Sequence, residues 1–179
     1  MRNILRFLMV LVFCPLASAR IGETESECSA RYGTPTKVTD ILPRCRTIEY
    51  TYHGFKIQIA FRGFNEPAIM MIFRKEMAAS LKDDEVAAIL SANTQNGTVW
   101  KATLAKNEHQ KNADPVSQLA TMLVANTLGG KAWQRSDGAT AELMVQKIRL
   151  TLKSHEAIVL EDMAKQEAEA RRKAAVPAF

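Results

Sequence analysis

Alternating apolar and polar positions predict strands in the first part of the chain. From Arg46 to Tyr52 and again from Phe55 to Phe61, every second residue is apolar, and His53-Gly54 between them is suited to a tight turn. Ala68 to Phe73 is apolar at every position, as in a strand buried on both faces. These three segments predict an antiparallel meander.

A second set of strands is predicted further along the chain. Thr98 to Leu104 and Lys131 to Arg135 each surround a tryptophan, and Ala139 to Met144 is expected to pair with Lys147 to Lys153. The turn Ser136-Asp137-Gly138 separates the second and third of these segments. Gly138 follows Gly54 by 84 residues, and each glycine sits in a turn before two strands. This similarity of pattern, with little identity, suggests an internal repeat.

Helix signals occur before each set of strands and at the end of the chain. Thr24 to Glu27 and Ser80 to Asp83 have the form of capping boxes, and Asp114-Pro115 suits the start of a further helix. Glu161 to Ala175 is rich in helix formers and has Glu–Lys and Glu–Arg pairs at four-residue spacing. The sequence therefore predicts a helix before each meander, an inserted helix and a C-terminal helix.

These elements predict an α+β fold. Two helix-plus-antiparallel-meander units would form one sheet with helices on one side, followed by the C-terminal helix. The predicted organisation is a signal peptide (1–19), an α+β domain (20–154) and a C-terminal helical tail (155–179). The domain would hold two possible repeats (20–79 and 80–154), with an insertion at 105–128 in the second.

The first nineteen residues have the three-part form of a secretory signal. Arg2 and Arg6 precede an apolar run, Pro15 interrupts it, and Ala17-Ser18-Ala19 matches a signal-peptidase site. The alternative, a membrane anchor, requires about 18 apolar residues, and this run is shorter. A lipoprotein signal would need a small residue before Cys14, where Phe13 stands. We expect a secreted or periplasmic protein with no transmembrane span after cleavage.

Composition and charge narrow the possible partners. With 47% hydrophobic and 24% charged residues, the chain can form a packed core, which excludes a disordered protein. Loss of the signal leaves a mild charge of +3, because 22 basic residues face 19 acidic ones. Arg31 to Lys75 carries a local excess of +5, suited to envelope lipid or an acidic protein unless it is an ordinary solvated surface. No basic run is dense enough to suggest a nucleic-acid partner.

Two cysteines remain after cleavage, Cys28 and Cys45. An even pair in an oxidising compartment predicts a disulfide, closing a loop of 18 residues and worth about 3 kcal/mol in the chain-entropy model. A free thiol nucleophile is the alternative.

The sequence has no recognisable catalytic or cofactor motif, so no cofactor or metal is expected. His53, His109 and His155 lack metal-ligand spacing, and there is no nucleophile elbow or phosphate-binding loop. Trp100 and Trp133 are expected in the core, with a binding surface as the alternative.

Two short stretches resemble known exported modules. The segment from Gly22 to Pro35, followed by a meander, is similar to modules of the BamE and beta-lactamase-inhibitor-protein type, the latter having two tandem copies. Trp133-Gln134-Arg135-Ser136-Asp137-Gly138 resembles a motif of uncharacterised secreted bacterial proteins. The resemblance implies protein binding without catalysis.

The leading hypothesis is therefore an exported, non-enzymatic module that binds an unknown protein or cell-envelope component. Its candidate binding residues are His53, Trp133, Arg135 and Asp137, and the turn residues among them are expected to tolerate alanine. The alternative is a small exported hydrolase with a site assembled from dispersed residues, His53 and Asp137 among them. A purely structural envelope protein is a third possibility.

Export gives the first testable prediction. Amino-terminal sequencing of the secreted protein should begin at Arg20, because cleavage is expected after Ala19. Membrane-bound protein that retains Met1 would contradict the prediction.

Overall fold

In a computed structural model, the chain is described over residues 20–39, 44–94, 97–103 and 130–174. Within these ranges the fold is α+β, with three helices and one eight-stranded antiparallel sheet. The helices are α1 (Glu25–Tyr32), α2 (Asp83–Ala92) and α3 (His155–Ala174). The strands are β1 (Lys37–Thr39), β2 (Arg46–Tyr52), β3 (Phe55–Phe61), β4 (Ala68–Lys75), β5 (Trp100–Thr103), β6 (Lys131–Arg135), β7 (Thr140–Leu143) and β8 (Leu150–Lys153).

Two four-stranded meanders make up the sheet. Its strand order is β1-β2-β3-β4-β8-β7-β6-β5, so the last strand of each meander joins the two halves. β4 and β8 run antiparallel, with Met70 opposite Lys153 and Phe73 opposite Leu150. One consequence is that equivalent features of the two meanders lie at opposite ends of the sheet.

The main hydrophobic core lies between one face of the sheet and the helices α1 and α2. We call this the first face. Cys28 and Tyr32 of α1 and Val86, Ile89 and Leu90 of α2 pack against it. The sheet contributes alternate strand positions, as the sequence periodicity predicts. These include Ile48, Tyr50, Ile57, Ile59, Met71, Phe73, Ala141, Leu143, Leu150 and Leu152.

The helices of the two units, α1 and α2, lie on one side of the sheet as predicted, and the C-terminal helix α3 packs on the opposite, second face. Ala157 is fully buried there, and Leu160 packs beside it against Cys45, Ala60, Ile69, Met70 and Ile72. This smaller cluster explains why β4 is apolar on both faces, since its alternate residues enter two different cores. The helix begins at His155 rather than Glu161, because the Ser154 hydroxyl accepts a hydrogen bond from the Ala157 amide at 3.2 Å.

Of the two predicted capping boxes, the first is confirmed and the second is displaced. The Glu27 carboxylate accepts from the Thr24 amide at 2.8 Å, and the Thr24 hydroxyl accepts from the Glu27 amide at 3.4 Å. In α2, Glu85 accepts instead from the amide of Lys82 at 2.7 Å. The Ser80 hydroxyl donates to the carbonyl of Gln146 at 3.0 Å and is not a cap. The predicted signal peptide and inserted helix lie outside the described residues.

The predicted Cys28–Cys45 disulfide is not present in the structure, where both thiols are free and buried. Cys28 belongs to the main core on the first face, whereas Cys45 belongs to the small cluster on the second face. The sheet therefore separates the two sulfur atoms. Burial raises the pKa of the Cys28 thiol to about 12, and burial also raises that of Cys45.

We predict two slowly reacting thiols in the folded protein. Alkylation under native conditions should be slow at both Cys28 and Cys45, because both are buried and their thiolates are disfavoured. After denaturation without reductant, peptide mass spectrometry should find both alkylated. Recovery of a linked Cys28–Cys45 peptide would show that the disulfide forms and that this part of the sheet is arranged differently.

Candidate functional site

The four residues predicted to contact a partner do not form one site. Trp133, Arg135 and Asp137 lie on β6 and its turn to β7, beside the carboxyl end of β8. The His53 turn lies beside the carboxyl end of β4, where Phe55 is opposite Lys75. Because β4 and β8 are antiparallel, these two turns are at opposite ends of the sheet. A compact contact or active site cannot contain both His53 and Asp137.

Arg135 is a buried cation, exposed by only 3%. Its Nε and Nη2 atoms donate to the two carboxylate oxygens of Asp137 at 2.8 and 2.6 Å. Its Nη1 atom donates to the carbonyl of Asn93, at the end of α2. The guanidinium carbon lies 5.3 Å from the ring centre of Trp100. These contacts direct Arg135 into the protein, so it is not available as a surface contact for a partner.

The hydrogen bonds around Arg135 continue to the start of the described chain. Asn93 is fully buried, and its side-chain oxygen accepts from the Ile21 amide at 2.9 Å. Its side-chain nitrogen donates to the carbonyl of Ile89 at 2.9 Å. The network therefore holds the segment before α1 and the end of α2 over the strands β5 and β6.

Asp137 has a structural role in the same network. Besides binding Arg135, one of its carboxylate oxygens accepts from the Ala139 amide at 3.2 Å, which fixes the turn. Its hydrogen bonds from Arg135 lower the pKa of the Asp137 carboxyl. Gly138 has a φ of +89°, and a Cβ there would lie 3.3 Å from the Nδ1 atom of His155. The turn therefore favours glycine both for its backbone conformation and for space.

Trp133 is half-buried and packs against the main core, in agreement with the predicted core role of the tryptophans. Trp100 packs there as well, beneath the guanidinium of Arg135. His53 is different, because it is exposed in a left-handed conformation with a φ of 48°. Its ring contacts that of Tyr52 edge-on, with 4.1 Å between the ring centres. Of the four candidates, His53 and Asp137 are exposed, whereas Trp133 is half-buried and Arg135 is buried.

A shallow depression of about 520 Å³ lies next to the Asp137 turn. Its lining includes Val99, Lys101, Gln134 and Ser136, together with the backbone of the two neighbouring turns. The charged residues that line the depression are Lys101 and Arg135, and Arg135 is already paired with Asp137. Within the described ranges there is no group of three His, Cys, Asp or Glu side chains that could hold a metal ion.

The second face of the sheet is a broad surface to which all eight described strands contribute. The registers place alternate residues of all eight strands on it, and α3 covers the part around Ala60, Met70 and Ile72. Apart from Ala132, the remaining positions are polar, as expected for an antiparallel sheet with one face toward solvent. Those that are exposed are Lys37, Thr51, Lys56, Arg74, Lys101, Thr103, Gln134 and Glu142. Sequence reasoning did not find this surface, because it depends on which strands are neighbours.

No protein-family model, curated protein or solved structure matches this chain. None of the helices described here is long and apolar enough to cross a membrane.

Replacing Asp137 should destabilise the protein, contrary to the expectation that this turn residue tolerates alanine. Asp137→Ala removes both hydrogen bonds to the buried Arg135 guanidinium and leaves its charge uncompensated. We expect a loss of about 2 kcal/mol, measured by urea unfolding, since hydrogen bonds to charged groups are worth about 1.5–3 kcal/mol. His53→Ala is the matched control and should cost about 0.5 kcal/mol or less. Equal effects of the two substitutions would contradict the structural role of Asp137.

The same ion pair predicts a dependence on pH. Arg135 lowers the folded-state pKa of Asp137, so the ionised carboxylate stabilises the protein above its ordinary pKa of 3.8. This contribution is lost as pH falls through the lower folded-state value. The stability difference between the native chain and Asp137→Asn should therefore be constant from about pH 5 to 7 and shrink below about pH 4. A difference that grows on acidification would show that the pair has the opposite linkage.

Proposed function

We propose that this protein is an exported, non-enzymatic interaction module that binds a protein or cell-envelope partner on the second face of its sheet. The observation that carries the proposal is this polar face, formed jointly by both meanders. Eight strands at about 4.8 Å spacing extend over roughly 34 Å. A surface of that width suits the contact area of a standard protein–protein interface, which is about 800 Å² on each partner.

The order of elements also supports this proposal. In each half a helix precedes four antiparallel strands, so the described residues form two units of similar order, which the resemblance to tandem exported modules implies. The signal-like segment, residues 1–19, is the basis for placing the protein outside the cytoplasm. A hydrolase site built around His53 and Asp137 receives no support, since these residues lie at opposite ends of the sheet.

A steric block on the second face tests the proposal without assuming the charge of the partner. Thr151 is half-exposed on β8, near the middle of this face, where it is opposite Ile72 and Glu142. Thr151→Trp should reduce capture of the partner from envelope extract, measured by quantitative mass spectrometry, because the indole fills space that a docked partner needs.

Thr34→Trp is the matched control, since it makes the same change at an exposed position in the loop after α1. This variant should retain capture, and thermal melting should show that both variants are folded. Equal capture by the native chain and by folded Thr151→Trp would contradict a binding role for the second face. Loss of capture in Thr34→Trp alone would place the contact on the helical side of the sheet.

A further inference from the structure

Three basic side chains stand next to one another across the second face. Lys56 on β3 lies directly opposite Arg74 on β4. Arg149 immediately precedes Leu150, the first residue of β8, which is opposite Phe73; extending the register by one residue puts Arg149 next to Arg74 on the same face. We call Lys56, Arg74 and Arg149 the basic row. It crosses the junction between the two meanders and therefore combines residues from both halves of the chain.

This arrangement is unfavourable for the isolated protein. Like charges directly opposite on neighbouring strands repel each other, and Lys56 and Arg74 are such a pair. In the part of the chain that the structure describes, the ion pairs involve other cations. The Nε atom of Arg149 is buried and has no hydrogen-bond partner among the described residues. A buried hydrogen-bond donor without an acceptor is a cost to folding.

Two lysines near the basic row are paired with carboxylates of α2, on the other side of the sheet. Lys75, adjacent to Arg74 in sequence, binds Glu85 at 2.7 Å. Lys147, two residues before Arg149, binds Asp83 at 3.0 Å. On the second face itself, Glu49 accepts from the side-chain amide of Gln58 at 2.8 Å. Lys75 and Lys147 are therefore paired with carboxylates, whereas the ion pairs of the described residues do not include Lys56, Arg74 or Arg149.

We propose that the basic row binds carboxylates of an acidic segment of a partner protein. This inference rests on the proposed function and specifies the chemistry of the partner. Guanidinium groups bind carboxylates through paired hydrogen bonds, and three adjacent cations favour a segment with several acids over a single carboxylate. Charge complementarity of this kind would also speed the encounter with the partner.

The position of α3 favours a protein segment over a lipid surface. The helix packs on the same face through Ala157 and Leu160, and a helix is about 10 Å in diameter. It therefore stands above the floor of the sheet and hinders the approach of a flat bilayer to the basic row. An extended peptide is narrow enough to lie on the strands beside the helix.

A binding measurement with defined probes tests this inference. The full chain would be titrated with the peptide (Glu-Ser)4 and with its uncharged counterpart (Gln-Ser)4, and amide shifts would be followed by NMR. We expect the acidic peptide to shift the amides around Lys56, Arg74 and Arg149 and to bind more weakly as salt increases. The uncharged peptide should leave these signals unchanged.

Substitutions distinguish a binding role from a structural one. Arg74→Gln should weaken binding of (Glu-Ser)4 about fivefold, since Arg74 is exposed and an exposed ion pair contributes no more than this. Arg74→Glu should abolish binding yet raise the melting temperature, because it replaces a repulsive pair with an attractive Lys56–Glu pair across the strands. Lys101→Gln is the matched control, since it removes one exposed positive charge from the same face, on the distant edge strand β5.

The outcomes separate this inference from the proposed function. If (Glu-Ser)4 binds no better than (Gln-Ser)4, or if Arg74→Gln and Lys101→Gln weaken it equally, the inference is wrong. Shifts of the same amides by pyrophosphate or by phosphatidylglycerol vesicles, without an effect of the peptide, would assign the row to phosphate groups and overturn the proposal. Capture of a partner that Thr151→Trp blocks but Arg74→Glu leaves intact would support the proposed function alone.

Discussion

A positive charge buried within the protein is the constraint on which this fold most depends. Transfer of the Arg135 guanidinium from water into the core is costly, and the cost is offset only if hydrogen bonds and a counter-charge are supplied. Asp137 provides the charge, the carbonyl of Asn93 provides a further acceptor, and the ring of Trp100 covers the group. The end of α2, the strands β5 and β6 and one turn must therefore be placed together. Through Asn93 the same network also fixes the segment at Ile21, which belongs to the first half of the chain.

The strands could be predicted from the sequence because their periodicity is local. β2, β3 and β6 occupy the predicted ranges, and β4 continues to Lys75 beyond the predicted Phe73. β1 was missed, since three residues are too few to show an alternation. The burial of Arg135 could have been predicted, because Arg135 stands two residues after Trp133 and therefore shares the same face of β6. The charge of Arg135 suggested an exposed side chain, but its position in β6 places the side chain on the face that packs against the core.

The arrangement of the two meanders could not be predicted from the sequence. A repeat of helix and strands is compatible with several ways of joining two sheets, and each would place the turns differently. Here the last strands are joined antiparallel, so the His53 and Asp137 turns point to opposite ends. The same junction brings Arg149 next to Arg74, although 75 residues separate them in the sequence. A candidate site of this kind depends on long-range pairing and leaves no local motif.

The charged groups of Arg135 and of the basic row differ in how far the protein compensates them. Arg135 would destabilise the core without partners, and the protein surrounds it with three of them. Lys56 and Arg74 repel each other in a sheet where an exchange of one charge would make them attract. Solvent screens this repulsion, so the fold tolerates it. The acidic partner that we propose would supply the negative charge that this pair lacks.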